Sequence, residues 1–244
     1  MTVNVSPLHA QPGVNDQPEP ATGNPVLDAI YSRRSVRGFL PTPVPRDVVN
    51  QIIQAAGQAP SGNNVQPWHV HVITGNTLAT LAKELHQAHD TGVENTREYE
   101  YYPTVWRTPY KERRRENGWG LYGTLGIGKG DAEKMKAQHG RNFLFFDAPV
   151  VLMFTIDRDL QQGSWLDYGM FLQTIMIAAR SFGLHTCPQA AVSNYPAIVK
   201  RHIGVGDDQV LICCVSMGYE DPNEPANAFR ATRLPLDQFV QYHE

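Results

Sequence analysis

Three arginines and one serine fall within five residues near the beginning of the recognisable fold. A guanidinium can bind a phosphate or a carboxylate through two parallel hydrogen bonds, and a nearby hydroxyl can add another. The cluster is therefore a candidate oxyanion site, although such a run taken alone is more often a charged surface. Its members are Arg33, Arg34, Ser35 and Arg37.

A second feature strengthens this hypothesis. Residues 60–68 read PSGNNVQPW, which is rich in turn formers and has the periodicity of neither a helix nor a strand. The segment is predicted to be a loop whose hydroxyl and amide groups are held in a frame stiffened by proline at each end. Such a loop suits a polar, planar ligand.

Regular elements must position these two segments. A short helix is predicted to begin at Pro25, with Asn24 as its cap. Apolar residues at helical spacing predict a second helix from Val48 to Ala56, which ends at Gly57. The candidate oxyanion cluster then lies between two helices, and the loop follows the second.

Further along the chain, alternating polarity predicts a strand over residues 69–74, and Thr77 is expected to cap a helix running to about His89. Continuous apolar runs predict buried strands over 150–156 and 210–217. The helix predicted over 165–182 is apolar on every side and ends before Gly183. Such a helix belongs in the centre of the fold or in a subunit interface.

Three segments fit this pattern less well. Residues 1–24 contain several prolines and few large apolar groups, and they are interpreted as a flexible arm. Residues 93–140 are rich in aromatic residues, glycine and arginine, and they are interpreted as a partly helical excursion or lid. Residues 218–244 form a proline-rich, mostly extended tail, so the domain itself is expected to span 25–244.

Four patterns could suggest other chemistry. Residues 118–123 spell GxGxxG, but no strand precedes them, and 123–130 lack the hydroxyl residue that a P-loop requires. His69 and His71 share a strand face without a neighbouring carboxylate or cysteine, so no metal site is predicted. The basic run at 111–115 could contact a phosphate or a carboxylate, although a solvated helix face is the favoured interpretation.

Composition narrows the class of protein. The 244 residues are 41% hydrophobic, which is enough for a core and excludes a disordered or fibrous chain. A net charge of −3 argues against a broad nucleic-acid-binding face. Three cysteines cannot build a disulfide framework, and neither a membrane span nor a secretory signal is recognisable, so the expected compartment is the cytoplasm.

Five segments, taken in order, resemble the FMN-dependent nitroreductase family and, within it, the nitrobenzoate-reductase-like branch. The resemblance covers nearly everything from about residue 25 to the end, and the order of the segments is more specific than any one of them. The segments are RRSVR at 33–37, APSGNNVQPWHV at 59–70, RNFLFFDAPV at 141–150, LDYGMFLQTIMIAARSFGLHTCPQAA at 166–191 and FRATRLPLDQFV at 229–240.

This resemblance gives the candidate residues their roles. Arg33 would hold the FMN phosphate, and Arg37 would approach the N1/O2 edge of the ring, where a cation stabilises the anionic reduced flavin. The backbone of 188–191 would lie along the ring with one N–H on N5, and the 60–68 loop would reach the FMN of a partner subunit. Besides the arginine cluster, the candidates are Pro60, Ser61, Gly62, Asn64, Gln66, Asn142, Pro188, Gln189, Ala190, Ala191, Arg230 and Arg233.

The sequence departs from the family pattern in two places. Several relatives carry Glu-Gly where this chain has Gln189 and Ala190, which suits the nitrobenzoate-like branch but leaves the N5 contact open. The lysine that the family places after the middle asparagine has no counterpart, and Arg141 or Asn142 would serve instead. Asp167 is expected to orient the central helix rather than to contact a ligand.

The resemblance also implies a fold and a reaction. The fold is α+β, with a central mixed, mainly antiparallel sheet flanked by helices, in a homodimer whose 218–244 tails wrap the partner and add an edge strand. NADPH or NADH would pass hydride to flavin N5 and leave, and a nitroaromatic would then be reduced to nitroso and hydroxylamine. Residues 93–140 would form the substrate wall, and no residue is assigned as a general acid.

Other functions stay open at this stage. A quinone or enone reductase, or a dehalogenase-like relative, would keep the flavin and change the substrate. A flavin-binding sensor or storage protein would bind FMN without fast turnover. A nucleic-acid module resting on 111–115 would be retained on a polyanion column in a salt-sensitive way.

Overall fold

The computed structural model describes residues 22–244. Most of the arm expected over 1–24 therefore lies outside the described residues. Seven helices flank one four-stranded sheet in the described part of the chain. The helices are α1 (Pro25–Ser32), α2 (Arg46–Ala56), α3 (Gly75–Thr91), α4 (Tyr110–Thr124), α5 (Ala132–Gly140), α6 (Gln162–Arg180) and α7 (Pro196–Ile203). The strands are β1 (His69–Thr74), β2 (Val150–Asp157), β3 (His185–Gln189) and β4 (Gln209–Gly218).

The strand order is β1-β2-β4-β3, and every ladder between these strands is antiparallel. Strand β2 is covered on both faces, which explains its continuous apolar run. Leu152 and Phe154 belong to the core beneath α2 and α6, whereas Val151 and Met153 belong to the core beneath α3 and α7. The sheet is therefore sandwiched between two layers of helices.

Most of the predicted elements are confirmed. The side chain of Asn24 caps α1 by accepting hydrogen bonds from the N–H groups of Val26 and Leu27, and Gly57 follows α2. Strand β1 covers the predicted residues, and β2 and β4 are the two buried strands. Residues 93–140 contain the helices α4 and α5.

Several boundaries were wrong. Helix α3 begins at Gly75 rather than after Thr77, because Gly75 has a φ of +57° that lets β1 turn directly into the helix. Helix α6 begins at Gln162 and ends at Arg180. The only parallel pairing among the described residues is an isolated bridge between Ser35 and Thr186, so the mixed character of the predicted sheet rests on that bridge alone.

No helix within residues 22–244 combines the length and the apolar character that crossing a bilayer requires.

Candidate functional site

The arginine cluster lies along the outer edge of β3. Ser35 forms a parallel bridge with Thr186, and the N–H of Val36 donates to the carbonyl of Thr186 at 3.0 Å. The cluster is therefore an extended segment laid against the sheet rather than a loose loop. This pairing brings Arg33 and Arg37 to the strand that leads into residues 188–191.

Asn227 fixes the C-terminal tail onto the same segment. Its Oδ1 accepts from the N–H of Arg37 at 2.6 Å, and its Nδ2 donates to the carbonyls of Gly38 at 2.9 Å and Asp221 at 3.0 Å. The side chain is buried, so these bonds are shielded from water. A Cβ on Gly38 would come within 2.3 Å of Cγ of Glu224, which shows how closely the two segments approach.

Once the tail is fixed in this way, the positive charges of Arg33 and Arg233 act on each other. The pKa of Arg33 is lowered, first by burial and then by the positive charge of Arg233, yet the guanidinium stays protonated at neutral pH. In residues 22–244, no carboxylate lies within 4.0 Å of either guanidinium. Two cations close enough to repel each other, with no carboxylate beside them, suit the binding of an oxyanion.

The buried thiol of Cys187 lies close to the charges of Arg33 and Arg37, which lower its pKa. Burial outweighs both arginines and raises the pKa of the thiol to about 11. The thiol therefore stays protonated at neutral pH, and it is not a nucleophile.

Two other candidate arginines are already engaged by protein groups. Arg34 forms an ion pair with Glu220 on the tail, and its side chain is largely buried. Arg230 donates to the backbone carbonyl of Asn227 at 2.6 Å. A role for either in cofactor binding stays a prediction, and the contacts favour a structural role for Arg34.

The end of β3 is held by the side chain of Gln189. Its Nε2 donates to the carbonyl of Asn142 at 2.8 Å, and its Oε1 accepts from the hydroxyl of Ser216 at 2.5 Å. Both ends of the amide are thus used inside the protein. The N–H groups of Ala190 and Ala191, by contrast, donate to no acceptor in the described part of the chain, and they can serve a ligand.

The 60–68 loop has a defined conformation of its own, and it is not bonded to the arginine cluster. Asn63, Asn64 and Gln66 have φ values of 50°, 59° and 51°, a left-handed conformation that asparagine tolerates well. Within the loop, the N–H of Gln66 donates to Oγ of Ser61 at 3.0 Å. No hydrogen bond or ion pair between described residues joins this loop to the arginine cluster.

The loop is anchored to α6 instead. The N–H of Gly62 donates to Oδ2 of Asp167, a buried residue of α6, at 3.0 Å. Asp167 therefore positions the loop, which is a structural role other than the predicted orientation of the central helix. Within one chain, the candidate ligands form one group made by 33–37, 188–191 and 230–233, and a second group on the loop.

Comparison with known proteins decides the family. Residues 30–219 match the model of the nitroreductase family. The 4-nitrobenzoate reductase of Pseudomonas putida is 41% identical over 217 residues, covering 88% of this chain and 95% of that protein. The chain belongs to the nitroreductase family.

Two further matches agree with this assignment. The 4-nitrobenzoate reductase of Nocardioides sp. (strain LMS-CY) is 37% identical over 234 residues, covering 93% of this chain and 95% of that protein. The FMN-dependent nitroreductase NfnB of Mycobacterium smegmatis, solved in complex with NADPH, has a TM-score of 0.86 at 31% identity, covering 90% of this chain and 98% of that one. These matches confirm the resemblance and the predicted nitroreductase fold.

Two of the competing patterns belong to ordinary secondary structure in this nitroreductase, and their side chains or backbone are used within the fold. Residues 118–123 lie inside α4, so the glycines build no loop between a strand and a helix. His69 pairs with Asp157 at 2.9 Å, and His71 contacts the hydroxyl of Thr155 at 3.2 Å. From residue 22 onward, no group of three or more histidine, cysteine or acidic side chains is arranged to hold a metal ion.

Sequence reasoning missed Asn227 and the buried network around His185. Asn227 lies in a proline-rich tail with no periodicity, so no local pattern marks it. His185 accepts from Nη1 of Arg180 at 2.8 Å, which requires a neutral imidazole. Burial, followed by the charges of Arg180, Arg34 and Arg230, lowers the pKa of His185 to about 3, although Glu220 lies 3.4 Å away.

This neutral imidazole predicts acid sensitivity. The unfolded chain binds a proton on His185 below about pH 6.5, whereas the folded chain does not do so until about pH 3. Stability should therefore fall through that window, by up to about 1.4 kcal/mol per pH unit from this group. In urea unfolding between about pH 6.5 and pH 4.5, His185→Gln should flatten the slope and the exposed control His243→Gln should not. An unchanged slope in the His185 variant would contradict this account.

Proposed function

We propose that this chain is an FMN-dependent oxidoreductase that reduces nitroaromatic compounds with NADPH or NADH. Two observations carry the proposal: the charges of Arg33 and Arg233 repel each other without a nearby carboxylate, and the N–H groups of Ala190 and Ala191 are open at the end of the strand that pairs with the arginine segment. Paired cations suit a phosphate, and backbone donors suit the polar edge of a flat ring. The names of the relatives supply the substrate class.

Each part of the site would then have a task. Bound FMN would supply two-electron transfer between a nicotinamide and a nitro group. Arg33 and Arg233 would hold the phosphate, and the backbone N–H groups of Ala190 and Ala191 would orient the ring. Arg37, whose Nη1 donates to the carbonyl of Ser35 at 3.2 Å, would place positive charge near the ring and favour added electrons.

We also propose that the working form is a homodimer. Apolar side chains are exposed on α1, on α6 and on the 60–68 loop, and α6 contacts both of the other elements. Exposed apolar side chains gathered on neighbouring elements are typical of a protein interface. The second chain would bring its loop to the first chain's cofactor site. The exposed members include Leu27, Ile30, Val65, Leu166 and Met170.

One substitution tests the interface. Leu166 is 71% exposed in the single chain, so Leu166→Glu should leave the monomer folded while placing a charge in the interface. Sedimentation should show a shift from dimer to monomer, and the protein should lose FMN because the partner loop is absent. Gln87→Glu, exposed on α3 on the opposite face of the sheet, is the matched control. A Leu166→Glu dimer with bound FMN would contradict the proposed interface.

The reaction is tested by a visible spectrum of the purified protein under nitrogen. The oxidised-flavin band should bleach with NADPH or NADH and return on addition of 4-nitrobenzoate. A colourless protein that fails to bind added FMN would overturn the proposal. Bound flavin that neither nucleotide bleaches would indicate a sensor or storage protein, and faster reoxidation by a quinone or a halotyrosine would shift the substrate class.

A further inference from the structure

A group of cations and aromatic rings lies at the start of α4 and in the segment just before it. Cζ of Arg107 is 4.8 Å from the centre of the Tyr110 ring, and Cζ of Arg113 is 5.7 Å from it. Cζ of Arg114 is 5.0 Å from the ring of Trp106. These five residues are called the α4 patch below.

The α4 patch is not neutralised by the protein. Across residues 22–244, no carboxylate lies within 4.0 Å of the guanidiniums of Arg107, Arg113 or Arg114. The nearby Glu112 instead accepts a hydrogen bond from the hydroxyl of Thr108 at 2.9 Å. The patch therefore offers exposed guanidinium groups and flat rings together, which suits a ligand with a phosphate and a planar base.

The tail fixes where the α4 patch lies relative to the proposed cofactor site. Gly120 meets Phe229 so closely that an added Cβ would come within 2.6 Å of the ring. One turn earlier, Glu116 accepts from the hydroxyl of Thr232, the neighbour of Arg233, at 3.0 Å. The tail thus runs antiparallel to α4, and its direction leads from Phe229 past Arg233 toward the patch.

Helix geometry places Arg113 on the same face of α4 as Gly120. Arg113 and Gly120 are seven residues apart, so they share one face of α4 at a separation of about 10 Å along the axis. Along α4, Arg113 is therefore farther from Phe229 than the proposed phosphate ligand Arg233 is. A ligand that reaches the patch while presenting its reacting end at the flavin ring must be elongated. A nitrobenzoate carries its carboxylate on the reacting ring, whereas a dinucleotide carries its adenosine phosphates far from the reacting nicotinamide.

We propose that the α4 patch binds the adenosine 2′-phosphate of NADPH and gives this enzyme a preference for NADPH over NADH. Arg113 and Arg107 would hold the phosphate, and the rings of Tyr110 and Trp106 would stack on the adenine. The proposal rests on the proposed function for the identity of the long ligand. The phosphate is the one group that distinguishes the two nucleotides.

The first test measures flavin reduction in the holoenzyme by stopped flow under nitrogen. Arg113→Gln should raise the apparent dissociation constant for NADPH by about tenfold and leave that for NADH within about twofold, because one charged hydrogen-bonding group is lost. Arg115→Gln, on the same helix but without a ring contact, is the matched control. Equal losses for both nucleotides would overturn the proposal.

The second test needs no turnover. Adenosine 2′,5′-bisphosphate should bind the holoenzyme more tightly than adenosine 5′-monophosphate by calorimetry, and Arg113→Gln should remove most of that difference. Loss of FMN in this variant would instead assign Arg113 to the flavin phosphate. A higher KM for 4-nitrobenzoate but not for nitrobenzene would assign it to the substrate carboxylate. If neither nucleotide reduces the flavin, the proposed function fails, while the calorimetry still tests the patch.

Discussion

Replacing Arg33 with glutamine is expected to weaken FMN binding by about a hundredfold. A half-buried guanidinium that bonds a phosphate contributes about 1.5–3 kcal/mol per charged hydrogen bond, and 2.7 kcal/mol corresponds to a hundredfold change. The affinity can be measured by titrating the flavin-free protein with FMN and following flavin fluorescence. Arg46→Gln, exposed at the start of α2, should bind FMN normally.

The same variant should not destabilise the flavin-free protein. Arg33 faces the charge of Arg233 without a nearby carboxylate among the described residues, so its removal relieves repulsion. Thermal unfolding of flavin-free Arg33→Gln should occur at the wild-type temperature or above it. Weaker FMN binding together with an unchanged or higher unfolding temperature is expected of a residue kept for ligand binding at the expense of stability. A structural arginine would not give this combination. A lower unfolding temperature with unchanged FMN affinity would show that Arg33 is structural.

The second large effect, a loss of stability, is expected when Gln189 is replaced. Gln189→Leu would leave the Ser216 hydroxyl and the Asn142 carbonyl without partners in a buried place. Each unsatisfied group costs about 1–3 kcal/mol, so with two such groups the free energy of unfolding should fall by roughly 2–6 kcal/mol. Urea unfolding of the flavin-free protein measures this change. The exposed Gln58→Leu is the control.

A companion variant separates the two ends of the amide. In Gln189→Glu the carboxylate can still accept from Ser216, but it cannot donate to the carbonyl of Asn142. We expect this variant to be less stable than wild type at neutral pH and to recover as the pH falls, because protonation restores a donor. Equal stability of the wild type and both variants would contradict the hydrogen-bond network.

The sequence predicts the central elements well because their signals are local. Strand β2 is apolar throughout since both of its faces are covered, and Asn24 and Gly57 mark helix ends by their own chemistry. Strand β3 has five residues and contains Pro188, and its stability comes from pairing with β4. Strand β3 forms because it pairs with a strand that is distant in sequence, and no local sequence pattern predicts such a pairing.

The candidate site shows the same limit. Arg33 and Arg34 are identical in type and adjacent in sequence, yet the first faces Arg233 and the second is paired with Glu220. The extended backbone of the segment sends neighbouring side chains to opposite sides, and the tail decides what each one meets. Residue type predicts an oxyanion site, but only the fold determines which arginine is available for it.

The hydrogen bonds that Asn227 makes to the Arg37 segment have a consequence for the order of folding. They join Arg37 to a residue 190 positions later, so the two halves of the proposed phosphate site meet only after most of the chain has been synthesised. Contacts that close such long loops form late, after the local helices and hairpins. A nascent or C-terminally shortened chain can therefore complete its sheet and both helical layers while it still lacks the means to hold a cofactor.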